Sequence, residues 1–382
     1  MKILIYTRKF LPEIGGVEMF VRLLAEGLAM RGGVEVTVVT ATRAAPEFDR
    51  QWSFLVVRGA RIWQLARLMR CADVVHLSGP AFVPLALSVL LGRRVVLEHH
   101  GFQAACPNGQ MFYEPTQTPC PGHFLAGRHG ECLRCSAGHS RWHSLRNLRL
   151  WLATFPRRWL CRCVAVNVMP TEWIESLLKL PRSRTILHGI QAQPVGSAPA
   201  HAPPTFVFQG RLVSTKGVDV LLRAALRLKQ RGLVFRVCVV GDGPERSALE
   251  KQAQALGLAE EAVFTGTLHG EALEGTLRRA AAVVLPSLAG EVFGLVVAEN
   301  MMRAKLVIVS SLGSLVEVLG DAGMVFAPGD AEQLASCLER VIREPQLAAR
   351  LGQRARERAQ RLFTWEPMVE QHLALYRTLL SA

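Results

Sequence analysis

Four charged residues in the second half of the chain have types and spacings suited to binding a phosphorylated, hydroxyl-rich ligand. Arg211 and Lys216 lie between a strand pattern and a helical pattern, where a guanidinium and an ammonium group can bind anionic oxygens. Glu291 stands just before an apolar helix and Glu299 about two turns into it. A carboxylate in an apolar helix needs donors, which sugar hydroxyls or structural arginines supply equally well. Each residue alone suits an ordinary surface or structural role, so the prediction rests on their combination.

Two glycines near the amino terminus predict a close approach between backbone and ligand. Gly15 and Gly16 separate a strand pattern over Lys2 to Thr7 from a helical pattern over Val17 to Met30. Backbone amides at the start of a helix attract anions such as a diphosphate. The spacing differs from the G-x-G-x-x-G dinucleotide fingerprint, and taken alone the loop is more simply a tight turn.

Four cysteines in a Gly/Pro-rich segment have the residue types of a metal site: they are Cys106, Cys120, Cys132 and Cys135. The last two have the C-x2-C spacing of a zinc knuckle, and four thiolates can hold a structural zinc ion. Reduced thiols in an ordered loop explain the same pattern, so both hypotheses stay open.

Arginine alternates with tryptophan and leucine over residues 140–163. The arginines are Arg141, Arg146, Arg149, Arg157, Arg158 and Arg162, and the apolar residues are Trp142, Leu145, Leu148, Trp151, Leu152 and Trp159. In an amphipathic helix, the arginines would face anionic lipid head groups while the apolar side chains insert. This pattern predicts peripheral membrane binding, and a helix packed on the first domain is the alternative.

The elements that must position these residues form two α/β halves. A strand, a glycine loop, a helix and a second strand over Val34 to Thr40 make one βαβ unit, which implies a parallel sheet with a right-handed crossover. After a Pro/Ala-rich segment the alternation restarts with a strand at Thr205 to Gln209. A cleft between two such sheets is a favoured ligand site.

The predicted boundaries follow from these patterns. We expect a Rossmann-like domain over residues 1–192 with a cysteine-rich insertion at 104–140, a linker at 193–204, a second Rossmann-like domain over 205–362, and a C-terminal helix at 363–382 that packs back on the first domain.

Composition narrows the class of protein. The chain has 382 residues, 50% of them hydrophobic, which suits two domains with large cores and excludes a disordered chain. A net charge of +14 favours phosphorylated ligands, anionic lipids or nucleic acid as partners. Neither a signal-peptide pattern nor a run of 18 apolar residues is found. We therefore expect a cytoplasmic protein, peripheral on the inner face of the cytoplasmic membrane if the arginine-rich helix binds lipid.

Taken together, the motifs resemble glycosyltransferase family 4, the "glycosyl transferases group 1", whose members have the GT-B fold. The resemblance covers nearly the whole chain. Its motifs are the loop from Pro12 to Glu18, His100-Gly101, Arg211 with Lys216, Gly241 to Pro244, Glu291 with Phe293-Gly294 and Glu299, and Gly323. It implies an α/β protein of two Rossmann-like domains whose parallel sheets face each other across a cleft, the first on the acceptor side and the second binding the nucleotide sugar.

The resemblance also implies a role for each matching side chain. Arg211 and Lys216 would hold the donor diphosphate and stabilise the leaving group, where charge develops. Glu299 would bind the ribose hydroxyls, while Glu291 and His100 would lie at the transferred sugar.

Backbone groups are implied on both sides of the donor. These are the amides of Phe293, Gly294 and Leu295 in one domain and the loop of Gly15 and Gly16 in the other. Members retain the anomeric configuration and need no catalytic metal or other cofactor, because cationic side chains and helix ends carry out the role of the ion. The two-carboxylate arrangement of retaining hydrolases is not evident, which favours front-face substitution.

We therefore expect a retaining glycosyltransferase that uses a UDP- or GDP-sugar and a lipid-linked or saccharide acceptor. The alternatives are a nucleotide-sugar epimerase of the same fold and a basic nucleic-acid-binding protein. The second is disfavoured because no DNA- or RNA-binding module is recognised.

The chain departs from the family pattern at three places. Asn300 follows Glu299 where alanine is usual, and His188-Gly189-Ile190-Gln191 replaces Asn-Gly-(Ile/Val)-Asp. Lys305 is assigned to a turn where glycine is common. These departures bear on donor choice more than on the fold.

Overall fold

The chain folds into two units, each containing a parallel sheet. The computed structural model describes residues 1–135, 141–195 and 203–381, with the backbone alone for 141–144. The first unit comprises Met1–Met111, Pro121–Ile190 and Phe363–Ala382, and the second comprises Phe112–Cys120 and Gln191–Leu362. Parts of the predicted linker 193–204 and of the predicted insertion 104–140, together with Ala382, lie outside the described residues.

The elements up to Ile190 follow in chain order. The strands are β1 Lys2–Thr7, β2 Glu35–Thr40, β3 Leu55–Arg58, β4 Val74–Ser78, β5 Val95–Glu98, β6 Phe112–Tyr113, β7 Thr118–Pro119, β8 Val166–Met169 and β9 Ser183–Thr185. The helices are α1 Gly16–Ala29, α2 Pro46–Asp49, α3 Ile62–Cys71, α4 Phe82–Leu90, α5 His129–Arg134, α6 Arg141–Cys163 and α7 Glu172–Leu178.

The sheet of the first unit has seven parallel strands in the order β3-β2-β1-β4-β5-β8-β9. Its central strands are apolar and buried on both faces, as in β4 and β5. Parallel strands require crossover connections, and the helices between them cover the faces of the sheet. The apolar side of α1, with Phe20, Leu24 and Leu28 fully buried, belongs to this core.

The elements after Ile190 form the second unit and the C-terminal helix. The strands are β10 Thr205–Gln209, β11 Arg236–Val240, β12 Ala262–Gly266, β13 Ala280–Leu285, β14 Val307–Ser310 and β15 Met324–Phe326. The helices are α8 Val218–Gln230, α9 Arg246–Ala255, α10 Gly270–Arg278, α11 Leu295–Met302, α12 Gly313–Leu319, α13 Ala331–Arg343, α14 Pro345–Leu362 and α15 Trp365–Ser381.

The sheet of the second unit has six parallel strands in the order β12-β11-β10-β13-β14-β15. The order reverses at β10 and β13, which is the pattern of a doubly wound Rossmann-like sheet. The hairpin of β6 and β7 is grouped with this unit, and Phe112 is buried in its hydrophobic core.

Helix α15 packs against α1 in the first unit, although the two are far apart in the chain. The contact requires a glycine on α1: a Cβ at Gly27 would lie 2.5 Å from Val369 and 2.9 Å from the ring of Trp365. The two helix backbones can therefore approach closely.

The turn before β14 differs from the sequence-based assignment. Ala304, not Lys305, has the left-handed backbone, with φ of 58°. Lys305 is buried instead, and its ammonium donates to the carbonyl oxygens of Arg278 at 2.8 Å and Ala280 at 3.4 Å. Burial lowers the pKa of Lys305 to about 8. The assignment of Lys305 to the glycine position was wrong by one residue.

Within the described part of the chain, no helix combines the length and apolar character that crossing a membrane requires.

Candidate functional site

The loops at the carboxyl edge of the second sheet are held together by glycines. A Cβ at Gly241, where φ is 140°, would lie 1.8 Å from the carbonyl oxygen of Gly210. A Cβ at Gly243 would lie 2.3 Å from the carbonyl oxygen of Leu212. The loop after β11 therefore packs backbone to backbone on the loop after β10, and this fixes the segment that begins at Gly210.

Lys216 ends a single 3-10 turn, Ser214–Lys216, between β10 and α8. The next residue, Gly217, has a left-handed backbone, and a Cβ there would lie 2.0 Å from the carbonyl oxygen of Pro286. The Leu288 amide donates to the Thr215 carbonyl at 2.8 Å. These contacts press the turn against the loop that follows β13, the strand next to β10.

Lys216 and Glu291 meet at this contact. The Lys216 Nζ lies 2.5 Å from Glu291 Oε1, and the Ser287 hydroxyl donates to the same oxygen at 2.8 Å. The Ser314 hydroxyl donates to the Glu291 carbonyl at 2.7 Å. The Lys216 side chain is 26% exposed and that of Glu291 11% exposed, so a partly buried cation and anion are fixed together with solvent access retained.

Helix α11 starts directly after this loop. Gly294 precedes it with φ of 85°, and a Cβ there would lie 2.6 Å from Leu315. The first amides of a helix have no carbonyl partner within it, and the helix dipole adds positive potential at that end. The start of α11, at Leu295, thus provides donors for an anionic group.

Glu299 lies about one turn into α11, not the two turns predicted, because the helix begins only at Leu295; its side chain is partly buried. Burial raises the pKa of its carboxyl group, Arg303 opposes that shift, and Glu274 adds to it. Arg303 forms an ion pair with Glu274, in which Nη2 lies 2.6 Å from Oε1 and Nε lies 3.1 Å from Oε2. Among the described residues, the Glu299 carboxylate has no hydrogen-bond or ion-pair partner, so its oxygens can accept hydrogen bonds from a ligand.

Arg211 is exposed in the loop after β10, and its guanidinium makes no hydrogen bond or ion pair with a described side chain. Of the four predicted residues, Lys216 and Glu291 are thus in direct contact with each other. The structure places Arg211 and Glu299 on the loops and helix that follow the same two neighbouring strands, β10 and β13. Ligands of open α/β sheets bind outside the carboxyl ends of strands at the point where strand order reverses.

His100 lies after β5 in the first unit and is partly buried. Its Nε2 is 3.0 Å from the hydroxyl of Ser78, which ends β4. Its ring packs at 4.8 Å from Phe20 and 5.2 Å from His188, measured between ring centroids. Burial and the neighbouring His188 lower the pKa of His100 to about 3, so the imidazole is neutral at pH 7.

Gly15 and Gly16 form the start of α1 as predicted from the pattern. The Glu18 carboxylate folds back over them: a Cβ at Gly15 would lie 2.4 Å from Glu18 Oε2. A larger residue at position 15 would displace Glu18. An anion bound at this helix end would meet that carboxylate, a feature that the sequence pattern did not indicate.

No disulfide joins the cysteines of the described residues. The Cys106 thiol donates to Asn108 Oδ1 at 2.9 Å, and Asn108 Nδ2 lies 3.5 Å from Cys135 Sγ. Cys132 is also buried, and Cys120 belongs to the segment grouped with the second unit. The four-cysteine zinc site stays a prediction.

A second polar cluster was missed by sequence reasoning. His76, Glu98 and His372 are each 0% exposed, although they lie in apolar strands and a helix. His372 Nε2 is 3.1 Å from Glu98 Oε2, and His188 Nε2 is 3.4 Å from Glu98 Oε1. The only sequence signal was a polar residue inside each of the strands DVVHL and VVLE. Such residues need buried partners.

Helix α6 presents an exposed apolar stripe. Its members repeat at intervals of three and four residues: Leu145, Leu148, Leu152, Phe155 and Trp159. Arg146, Arg149 and Arg162 on the same helix are exposed as well. Trp151, predicted to insert into lipid, packs instead against Phe155 and His129 with centroids 5.1 and 5.7 Å away. The side chain of Trp142 lies outside the described residues.

Two family models match the chain in succession. The model "Glycosyltransferase Family 4" matches residues 14–192, and the model "Glycosyl transferases group 1" matches residues 190–358. Together they extend over most of the chain and include the predicted site residues of both units.

Individual relatives agree with the models. Over 179 residues the chain is 31% identical to the alpha-D-kanosaminyltransferase of Streptomyces kanamyceticus, a match that covers 46% of each chain. It is 24% identical to an uncharacterized glycosyltransferase of Methanocaldococcus jannaschii, over 99% of this chain and 98% of that one. The chain spans about half the length of several other curated relatives that it matches.

A solved structure shares the architecture. HepE of Anabaena, in complex with UDP-glucose, superposes with a TM-score of 0.73 at 17% identity, covering 99% of this chain and 100% of that one. At this level of identity the likeness establishes the fold.

Proposed function

Because the chain belongs to glycosyltransferase family 4 and has the GT-B fold, we propose that it transfers a sugar from a nucleoside diphosphate to a hydroxyl group, with retention of the anomeric configuration. The observation that carries the proposal is the Lys216–Glu291 pair at the carboxyl edge of the second sheet. An unpaired arginine and an unpaired carboxylate, Arg211 and Glu299, follow the same two strands.

Lys216 and Arg211 bind the donor diphosphate in this proposal. An ammonium acts as a point charge and a guanidinium as a planar fork, so together they neutralise two adjoining phosphate groups. The amides at the start of α11, from Phe293 through Gly294 to Leu295, add donors to the same charge. UDP and GDP share the diphosphate, and either can be the nucleotide.

The two glutamates bind sugar hydroxyls. Glu299 has oxygens free to accept hydrogen bonds from the two ribose hydroxyls, and burial raises the energetic benefit of satisfying them. Glu291, held by Lys216 and Ser287, accepts from hydroxyls of the transferred sugar. When donor binds, Lys216 exchanges part of its contact with Glu291 for phosphate.

In the reaction the bond between the anomeric carbon and the phosphate oxygen breaks, and the acceptor oxygen bonds to that carbon from the same face. The departing phosphate oxygen accepts the proton of the acceptor hydroxyl. Negative charge therefore grows on the diphosphate, where Lys216 and Arg211 stabilise it most in the transition state. No covalent nucleophile and no catalytic metal are assigned.

The first unit supplies the acceptor side. His100, neutral and fixed by Ser78 and Phe20, acts as a hydrogen-bonding group at the transferred sugar. The loop of Gly15 and Gly16 presents backbone to the donor. We assign the acceptor to a lipid-linked or saccharide molecule at the cytoplasmic face of the membrane, because the apolar stripe of α6 and its exposed arginines suit an anionic bilayer surface.

A donor panel tests the function. The purified chain is incubated with UDP- and GDP-sugars and with extracted lipid-linked and saccharide acceptors, and release of nucleoside diphosphate is measured. We expect release that depends on acceptor, and a product whose anomeric proton coupling in NMR matches that of the donor. Lys216→Ala, Arg211→Ala and Glu299→Gln should each lower turnover at least about tenfold, since each loses a charge-assisted contact.

Lys251→Ala is the matched control, because Lys251 is exposed on α9. Conversion of the donor sugar without acceptor would point to epimerisation instead. Turnover that is equal in the three variants and the control would reject the assigned roles.

A further inference from the structure

The buried cluster in the first unit has the donor atoms of a metal site that the proposed reaction does not use. His76 on β4, Glu98 on β5 and His372 on α15 are all 0% exposed. One ligand atom from each lies within 4.8 Å of the others, and among the described residues no other group of three or more such ligands does so. Three separate elements converge on one point inside the protein.

A hydrogen bond to the backbone selects the tautomer of His372. Its Nδ1 lies 2.8 Å from the Met368 carbonyl oxygen, which can only accept, so Nδ1 carries a hydrogen. In the neutral ring Nε2 then carries a lone pair and is a hydrogen-bond acceptor. It lies 3.1 Å from Glu98 Oε2, which is also an acceptor. Two acceptors at that distance repel each other unless a cation lies between or beside them.

His76 also has a ring nitrogen without a partner among the described residues. Its Nδ1 is 2.9 Å from the Tyr376 hydroxyl, and its Nε2 is buried with no hydrogen-bond partner among the described residues. A proton on His372 would satisfy the contact with Glu98, yet it would leave His76 Nε2 unpaired. A single ion bound by His76, Glu98 and His372 satisfies all three groups.

We propose that His76, Glu98 and His372 bind a divalent transition-metal ion, of which zinc suits the donor set of two imidazoles and one carboxylate. Bond lengths of about 2.0–2.1 Å imply about 3.3 Å between neighbouring ligands of a tetrahedral ion. The separation of His372 Nε2 and Glu98 Oε2, 3.1 Å, is close to this value. Tyr376 and the Met368 carbonyl orient the two imidazoles from outside the ligand shell.

The proposed ion acts on the fold around His100. It joins β4 and β5 to α15, and the residues two positions further along these strands are Ser78 and His100, which hydrogen-bond to each other. Metal binding thus holds the C-terminal helix on the first unit and positions a residue assigned to the acceptor side. This inference concerns metal content and does not depend on the proposed transfer reaction.

Metal stoichiometry tests the proposal. The full chain, purified without a histidine tag, is equilibrated with zinc, freed of excess ion and measured by elemental mass spectrometry. We expect the His76→Gln/His372→Gln double variant to bind about one zinc fewer per chain than the wild type. The control His269→Gln, at an exposed histidine, should bind the wild-type amount. Equal zinc content in all three proteins would overturn the proposal.

X-ray absorption identifies the atoms bound to zinc in a protein that retains His76, Glu98 and His372. In Cys132→Ser/Cys135→Ser, which removes the predicted thiolate pair, bound zinc should show only nitrogen and oxygen neighbours at about 2.0–2.1 Å. A zinc-free Cys132→Ser/Cys135→Ser protein, or one whose zinc retains sulfur neighbours alone, would contradict the assignment. The first outcome would indicate an imidazolium–carboxylate pair between His372 and Glu98.

Discussion

At the scale of single residues, the site combines groups that the chain leaves partly unsatisfied. Lys216 and Glu291 satisfy each other, whereas the Glu299 carboxylate has no partner among the described residues and Arg303 beside it is already bound to Glu274. A ligand would have to replace part of the Lys216–Glu291 contact, whereas the Glu299 carboxylate gains a partner only when a ligand binds. The proposed recognition of a charged sugar donor uses both features.

Ala304 offers a test of the corrected turn before β14. Its left-handed backbone, φ 58°, disfavours a side chain with a Cβ, and glycine removes that cost. We expect Ala304→Gly to raise the free energy of unfolding by about 0.5–1 kcal/mol in chemical denaturation, after allowing for the larger entropy of unfolded glycine. Ala272→Gly, at an exposed position of α10, should lower it by a similar amount. Destabilisation in both variants would refute the left-handed assignment.

The residue types of the proposed donor site stand out in the sequence because three are charged groups next to turns and the fourth, Glu299, is a carboxylate in an apolar helix. The buried cluster does not. Glu98 and His372 are 274 positions apart, and a polar residue in an apolar strand indicates a partner without saying which one. The one-residue error at Lys305 has a related cause, since a buried lysine held by two carbonyl groups looks like a turn residue until the backbone is known.

At the scale of elements, the inner strands of both large sheets and the edge strand β12 were predictable, whereas three short edge strands were not. The runs at β10, β11 and β13 are apolar and β-branched because these strands are buried on both faces. Besides the hairpin of β6 and β7, the patterns missed β3, β9 and β15, which all lie at edges of the two large sheets. They pair on one side only and are three or four residues long, which is too short to show a strand period.

The close packing of α15 on α1 can be tested by comparing alanine substitutions at two helical glycines, one inside this contact and one outside it. Gly27→Ala places a methyl group 2.5 Å from Val369, so we expect a loss of about 1–3 kcal/mol in the free energy of unfolding despite the better helix propensity of alanine. At Gly275 on α10 the nearest atom to an added methyl is 3.6 Å away, and Gly275→Ala should stabilise by about 0.5–1 kcal/mol. Urea titration of both variants compares them. Equal stabilisation by the two substitutions would exclude the close packing of α15 on α1.

At the scale of the whole molecule, a net charge of +14 and the stripe on α6 bear on where the protein works. Co-sedimentation with vesicles containing anionic lipid should fall at least about threefold when Leu148 and Leu152 are changed to Gln, because exposed apolar side chains add insertion energy to charge attraction. Val234→Gln, a change at an exposed valine of the second unit, should bind like the wild type. Binding should weaken with added salt. If the α6 variant co-sediments like the wild type, the apolar stripe of α6 does not bind the membrane.

In the proposed site Lys216, Arg211 and Glu299 bind a nucleoside diphosphate, and calorimetric titration with UDP and GDP measures this binding. We predict that at least one nucleotide binds the wild type and Lys251→Ala alike. Its Kd should rise about 10- to 100-fold in Lys216→Ala and in Arg211→Ala, as expected for the loss of about 1.5–3 kcal/mol from a charged hydrogen bond. Glu299→Gln should also weaken binding. If neither nucleotide binds, or if all five proteins bind with the same Kd, the proposed donor site is wrong.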